Sequence, residues 1–169
     1  MRMKKLFLIC IVILFTLNSV CAQNNKSSSN NSFSLGAELS LPVGLFGDVY
    51  SFGIGASGQG NFAVANNTAL TLYAGYINYF LKTTYGKGNQ GYVPVLGGVE
   101  LNFSPFVFAS AQLGFTFFTN GGGSAFTYSP GIGYRLSRNF TALLKYVGQS
   151  KSAINSSAIG VRAAYTFGK

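Results

Sequence analysis

From residue 32 almost to its end, the chain alternates between apolar residues and small or polar residues with a period of two. Successive side chains of a β-strand point to opposite faces, so this period predicts strands with two different faces. The pattern breaks at turn residues often enough to divide the region into eight strands, most of them ten or more residues long. The predicted strands are Ser32–Leu41, Tyr50–Val64, Thr68–Phe80, Tyr92–Phe103, Phe106–Phe118, Phe126–Leu136, Phe140–Gly148 and Ser157–Phe167.

The two faces of these strands differ in a way that favours a membrane barrel over a soluble one. The polar face consists mostly of Gly, Ser, Thr, Ala, Asn and Gln, whereas a face in contact with water is normally rich in charged residues. Small residues suit the narrow interior of an eight-stranded barrel. Strands of this length, tilted near 45°, also match the thickness of a hydrocarbon layer. We therefore predict that the apolar face contacts lipid and the polar face lines the lumen.

Aromatic residues and loop lengths agree with this orientation. Two aromatic belts are expected at the two membrane interfaces, and short turns are expected to alternate with longer external loops. One predicted belt contains Phe33, Phe62, Phe103, Tyr134, Phe140, Tyr165 and Phe167, and the other contains Tyr50, Phe52, Phe80, Phe117, Phe126, Tyr128 and Tyr146. The short connections are Asn66-Asn67, Ser104-Pro105 and Ser137–Asn139, and the longer ones are Pro42–Val49, Leu81–Gly91, Thr119–Ala125 and Gln149–Ser156. An open sheet would leave unpaired edges in lipid, so residues 32–169 are predicted to form a closed, eight-stranded, antiparallel up-and-down transmembrane β-barrel.

The first 22 residues have the pattern of a signal peptide for export. Three basic residues precede the apolar core Leu6–Leu17, and small residues offer a cleavage site near Ala22. A core of this length is too short to span a bilayer as a helix. A lipoprotein anchored at Cys21 is the alternative. Residues 23–31 are polar and of low complexity, and we predict that they form a flexible lead-in to the barrel.

The composition excludes most catalytic chemistry. The chain has no His, and its acidic residues are Glu38, Asp48 and Glu100 only. Both cysteines lie in the predicted signal peptide, so we expect no catalytic, cofactor-binding or metal-binding residues and predict a protein that is not an enzyme. The segment Gly53–Gly58 matches a dinucleotide-binding pattern, but a strand rather than a helix follows it. Without the signal peptide the net charge falls from +9 to +6 and is scattered, which argues against a nucleic-acid partner.

Charged residues on the polar face are predicted to form an ionic cluster in the lumen. Strand parity places five of them inside: Glu38, Glu100, Arg135, Lys145 and Arg162. The first and last strands become neighbours when the barrel closes, so Glu38 and Arg162 are expected to meet. Buried charges are tolerated when they are paired and hydrogen-bonded. The favoured interpretation is that the cluster fills and stabilises the barrel; a gate for small solutes is the alternative.

The chain resembles the small eight-stranded outer-membrane proteins of the OmpA/OmpX type, in a single-domain form. The resemblance rests on the strand pattern and on the last strand, whose alternate positions resemble the signal that the barrel-assembly machinery reads. That predicted signal consists of Ile159, Val161, Ala163, Tyr165 and Phe167. The resemblance implies a porin-like cell-envelope protein in the outer membrane of a Gram-negative bacterium, with the assembly machinery and outer-membrane lipids as partners.

The function expected from the sequence is a structural or interaction role for a barrel with a mostly filled, polar lumen. The basic residues Lys82, Lys87 and Lys151 fall in the predicted external loops, where they are placed to contact anionic head groups such as those of lipopolysaccharide. Three alternatives stay open: a narrow channel for small solutes, a secreted soluble barrel that binds an apolar ligand, and adhesion through the loops. Fold alone does not choose among them.

Overall fold

The computed structural model describes residues 31–85, 88–151 and 154–167. The predicted signal peptide, the lead-in up to residue 30, Lys87 and the last two residues lie outside these ranges. The described residues form eight strands. These are β1 (Ser32–Val43), β2 (Tyr50–Ala65), β3 (Thr68–Leu81), β4 (Asn89–Asn102), β5 (Val107–Phe118), β6 (Ser124–Arg135), β7 (Phe140–Lys151) and β8 (Ile154–Phe167).

Each strand pairs antiparallel with the next, and β1 pairs with β8 to close the barrel. The predicted fold class is therefore confirmed. In the closing pair, Phe33 lies opposite Phe167 and Glu38 lies opposite Arg162. Both ends of the barrel chain thus lie at the same end of the barrel as the turns at 66–67, 103–106 and 136–139. We call this the terminal end. We call the opposite end, which carries the loops 44–49 and 119–123 and the described residues 82–85 and 88, the loop end.

The faces of the strands are arranged as the pattern predicts. Large apolar side chains cover the outer surface of the barrel, and the polar side chains of the same strands are buried inside. In β1, for example, Leu35 and Leu39 are exposed while Ser34 and Glu38 are buried. A continuous apolar exterior on a closed barrel suits contact with lipid rather than with water.

The connections at the loop end are shorter than the sequence predicts. The prediction of a loop at Gln149–Ser156 is wrong over most of that range, because pairing between β7 and β8 continues to Lys151 opposite Ile154. Gln149, opposite Ser156 in this extension, is polar, so the apolar alternation fades while backbone pairing goes on. Backbone hydrogen bonds do not depend on side-chain polarity, which is why strands outlast the pattern that predicts them.

The loop between β1 and β2 contains a short helix, α1 (Leu45–Val49), and the loop between β3 and β4 contains a 3₁₀ turn (Thr83–Tyr85). Gly44 precedes α1 with φ 61°, a left-handed conformation that favours glycine. Among the helical residues that the structure describes, none belongs to a segment long and apolar enough to cross a membrane.

Pro130 lies in the middle of β6. Proline has no backbone N–H, so it cannot donate a hydrogen bond to a neighbouring strand. Its side chain points outward, and β6 keeps an unbroken register with β5 through Ala111 opposite Pro130. On the β7 side, pairing runs to Tyr128 opposite Gly148 and resumes at Gly131 opposite Lys145 in the same register. The proline is therefore accommodated by a two-residue interruption of one ladder without a bulge.

Candidate functional site in the barrel lumen

The loop end of the lumen is closed by an aromatic cap, which we define as Phe46, Tyr50, Tyr79, Tyr92 and Phe118. The helix α1 turns Phe46 into the barrel mouth, where it is only 7% exposed. Its ring centroid lies 4.8 Å from that of Tyr50 and 5.0 Å from that of Tyr79. Tyr92 joins the group at 4.8 Å from both Tyr79 and Phe118. Tilted and edge-on contacts of this kind make a tightly packed aromatic seal.

Below the cap, a plug of charged and polar side chains crosses the middle of the lumen. It consists of Glu38, Ser57, Tyr73, Lys145 and Arg162, which come from β1, β2, β3, β7 and β8. The carboxylate of Glu38 lies 3.0 Å from the ammonium nitrogen of Lys145 and 3.5 Å from Nε of Arg162. All three charged side chains are at most 4% exposed. Opposite charges therefore meet where little water can screen them.

Two hydroxyl groups complete this plug. Ser57 donates a hydrogen bond to Oε1 of Glu38 at 2.6 Å and accepts one from Nε of Arg162 at 2.8 Å. Tyr73 donates to the same carboxylate oxygen at 2.9 Å and accepts from Lys145 at 3.2 Å. Each hydroxyl thus links the acid to one base. Connected networks of this kind rigidify a buried polar site, whereas partly satisfied ones weaken it.

A second ion pair lies nearer the terminal end. Arg135 donates from Nη2 to Oε1 of Glu100 and to Oδ1 of Asn102, both at 2.5 Å. Its guanidinium group also lies 4.7 Å from the ring centroid of Phe108. Side chains of Gln59 and Asn61 connect this pair toward the middle of the barrel, since Gln59 donates to Asn61 and Asn61 donates to Glu100.

A cavity of about 590 Å³ occupies the terminal end of the lumen. We call it the vestibule. Its mouth is formed by the turns at 66–67 and 103–105, and its wall includes Asn61, Asn102 and Thr141. Arg135, Glu100 and Arg162 also line it. The plug and the aromatic cap lie beyond its inner end, so the vestibule is a blind chamber that opens at one end of the barrel.

The five charged residues predicted to face the lumen all do so, but they form two groups. Glu38, Lys145 and Arg162 meet in the plug, whereas Glu100 and Arg135 pair at the vestibule. Among the described residues, no group of three His, Cys, Asp or Glu side chains comes together to hold a metal ion. In both groups each base contacts a carboxylate, so the arrangement supplies electrostatic stabilisation across the lumen.

The lumen also contains large side chains that the sequence pattern did not predict. The inner face was expected to be small and polar, yet Tyr73, Tyr79 and Tyr92 are buried there. Their positions in β3 and β4 have the inward parity, so strict counting would have found them. Tyr50 was predicted to lie in an external aromatic belt and instead joins the cap. The register shift between Tyr50 and Phe52 is the physical reason, because a bulge reverses which face a residue takes.

The remaining predicted residues lie on the outside of the barrel. The alternate positions of β8 predicted as an assembly signal all face outward: Ile159, Val161, Ala163, Tyr165 and Phe167. Lys82 and Lys151 lie at the loop end, where Lys151 donates to the carbonyl of Gly122 and lies 5.1 Å from the ring centroid of Phe118. Recognition of β8 by the assembly machinery stays a prediction.

The fold and the apolar exterior together define a small transmembrane β-barrel of the outer-membrane type. Its architecture is similar to that of Ail, the attachment invasion locus protein of Yersinia pestis, with a TM-score of 0.58 and 17% sequence identity over 83% of this chain and 100% of that chain. The N-terminal β-barrel domain of Pseudomonas aeruginosa OprF matches with a TM-score of 0.58 and 15% identity, over 83% of this chain and 100% of that one. A de novo designed transmembrane β-barrel matches with a TM-score of 0.55 and 17% identity, over 85% and 100% of the two chains.

These similarities are similarities of fold. No protein-family model matches the sequence, and no curated protein matches it at the sequence level. The particular role of this barrel must therefore be argued from its own lumen and surface.

Proposed function

We propose that this protein is a closed outer-membrane barrel with a structural or interaction role, and that it neither conducts solutes nor catalyses a reaction. The observation that carries the proposal is the plug. Glu38 holds Lys145 and Arg162 across the middle of the lumen, and the aromatic cap adds a second closure above them. A solute that entered the vestibule would have to break a buried ion pair to go further.

Planar-bilayer recording tests the closed lumen directly. The purified barrel is expected to give no reproducible single-channel steps under conditions in which a porin, added to the same bilayer as a positive control, conducts. A companion variant, Phe46→Ala, removes the centre of the cap but leaves the plug, and it is expected to remain non-conducting. Reproducible steps from the unmodified protein would overturn the proposal in favour of the narrow channel.

Heat modifiability separates the membrane barrel from a secreted soluble barrel that binds an apolar ligand. A membrane barrel needs detergent or lipid to stay in solution, and it migrates differently on a denaturing gel before and after boiling. The exposed rows of Phe, Leu and Val on the exterior support this outcome. A protein that stays dispersed without detergent would contradict it.

The loop end is the proposed contact surface for anionic lipid head groups, including those of lipopolysaccharide. Lys82 and Lys151 supply positive charge there, and Asp48 is the acidic residue described at that end. The variant Lys82→Gln/Lys151→Gln is expected to reduce binding to lipopolysaccharide-containing vesicles relative to neutral phosphatidylcholine vesicles. Arg138→Gln, which removes a charge from a turn at the terminal end, is the matched control and is expected to bind as the unmodified protein does.

A further inference from the structure

The charges that face the lumen do not balance. Among the described residues, the inward acids are Glu38 and Glu100, and the inward bases are Arg135, Lys145 and Arg162. The lumen therefore carries one more positive charge than negative. Enclosing a charge without a counter-charge is costly, and the cost is relieved when an anion takes the place of the missing acid.

The excess charge lies in the plug, where Glu38 is shared between two bases. Glu100 pairs with Arg135 at 2.5 Å, and its charge also acts on Arg162 from the vestibule. Of the two bases that share Glu38, Lys145 has the shorter contact, 3.0 Å against 3.5 Å for Arg162. Arg162 instead directs Nη2 toward the hydroxyl and carbonyl groups of Ser34, at 3.0 Å and 3.3 Å, on the side of the vestibule. Arg162 lines that cavity.

The rest of the vestibule wall has the chemistry of a site for a hydroxyl-rich molecule. Asn61, Asn102 and Thr141 line the cavity, together with Phe103, Phe108 and the ion pair of Glu100 and Arg135. Amides and hydroxyls can both donate and accept, as the hydroxyl groups of a sugar require. A volume of about 590 Å³ is within the range of small-molecule sites.

We propose that the vestibule binds a small, hydroxyl-rich oxyanion of the class of sugar phosphates and sugar acids, with its anionic group near Arg162. The plug lies at the inner end of the vestibule, so the ligand enters and leaves by the mouth at the terminal end. The exposed Arg138 in the turn at 136–139 adds positive charge at that end and favours the approach of an anion. The site is one of binding and not of transport.

Thr141 provides a test that adds the missing acid without disturbing the plug. It lies in β7 opposite Arg135 of β6 and Ala164 of β8, with its side chain on the vestibule wall. Thr141→Asp places a carboxylate in the cavity and brings the inward charges into balance. Thr141→Asn has nearly the same shape without the charge, so it is the matched control.

The measurement is calorimetric titration of the barrel in nanodiscs with glucose 6-phosphate, glucuronate and glucose. The unmodified protein and Thr141→Asn are expected to bind the two anions at least ten-fold more tightly than glucose, and Thr141→Asp is expected to lose at least ten-fold of its affinity for them. The phosphate and the carboxylate probes distinguish the two sources of the oxyanion, and binding of either supports the site.

Three results would overturn this assignment. The first is an absence of saturable binding of both anions by the unmodified barrel. The second is equal affinity of Thr141→Asp and Thr141→Asn for the anions. The third is binding of inorganic phosphate as tight as that of glucose 6-phosphate, which would leave no role for the hydroxyl groups. None of these results depends on whether the lumen conducts, so failure of this inference is distinguishable from failure of the proposed closed barrel.

Discussion

At the scale of single residues, Glu38 is the acid that pairs with two bases of the lumen. Lys145 and Arg162 are both buried beside it, and Ser57 and Tyr73 orient its carboxylate. Burying such a group is tolerated only while all of its partners are present. The pair between Glu100 and Arg135 lies at the vestibule, where the Arg135 side chain is 18% exposed. Water can therefore replace part of the contact if that pair is broken.

Glu38→Gln tests this difference. The substitution keeps the size of the side chain and removes its charge, which leaves two buried cations without a counter-charge. We expect a loss of about 3–5 kcal/mol in the free energy of unfolding, measured by urea titration in lipid vesicles. Glu100→Gln is the matched control and is expected to cost less than half as much. Equal losses would show that the plug is no more buried than the vestibule pair.

Residue placement was largely predictable, and its exceptions have identifiable causes. The period of two placed Glu38 and Arg162 on the inner face of neighbouring strands, and the closing pair of strands brings them directly opposite each other. The same period places Tyr73 on the inner face, but a large side chain there was not expected because the lumen was predicted to contain small residues. The position of Phe46 in the barrel mouth could not be predicted from the sequence pattern. Phe46 lies in a loop whose conformation follows from tertiary packing and not from a hydrophobic period.

At the scale of elements, the strands approach so closely in places that only glycine fits on the inner face. A Cβ atom added to Gly98 of β4 would lie only 2.1 Å from the carbonyl oxygen of Ala111 on β5. The neighbouring Gly97 faces outward, and an added Cβ would find its nearest atom at 3.9 Å. Two adjacent glycines therefore differ sharply in how much room surrounds them.

The adjacent pair Gly98→Ala and Gly97→Ala makes a direct test of strand register. Gly98→Ala must push β4 and β5 apart, and overpacking of this kind costs about 1–3 kcal/mol. Gly97→Ala is expected to leave the free energy of unfolding unchanged or slightly increased, since alanine restricts the unfolded chain. The temperature at which the folded band disappears from a heat-modifiability gel ranks the two variants. A ranking in the opposite order would mean that the register is wrong by one residue.

Element boundaries were less predictable than element existence. The sequence indicated all eight strands, but it ended β7 at Gly148 and began β8 at Ser157, whereas pairing continues to Lys151 and Ile154. Hydrophobic alternation reports contact with lipid, and backbone pairing extends beyond the lipid. The part of a strand that extends beyond the apolar band therefore cannot be recognised from hydrophobic alternation.

At the scale of the whole molecule, the barrel reverses the usual placement of polar and apolar groups. Leu113 shows this most simply, since it lies midway along β5 and is 58% exposed on the outside. Leu45 in α1 is also exposed, at 79%, but it lies at the loop end. Only the first of these leucines is expected to be in contact with the hydrocarbon of the membrane.

Arginine substitutions at these two leucines test the membrane position of the barrel. Leu113→Arg is expected to cost about 2–4 kcal/mol in the free energy of folding into lipid vesicles, the amount typical of an arginine near the bilayer midplane. Leu45→Arg is expected to change it by less than about 1 kcal/mol, as near an interface. If both variants fold equally well, Leu113 does not face lipid.

The seam between β1 and β8 has a consequence for how the molecule is made. It joins the first strand of the barrel to the last strand of the barrel through eleven paired positions. One edge of β1 therefore stays unpaired until the other seven strands are present. Arg162 lies on β8, so Glu38 lacks one of its two bases until β8 pairs with β1. A barrel that lacks its last strand gains little stability from closure, so we expect assembly to be slow and all-or-none.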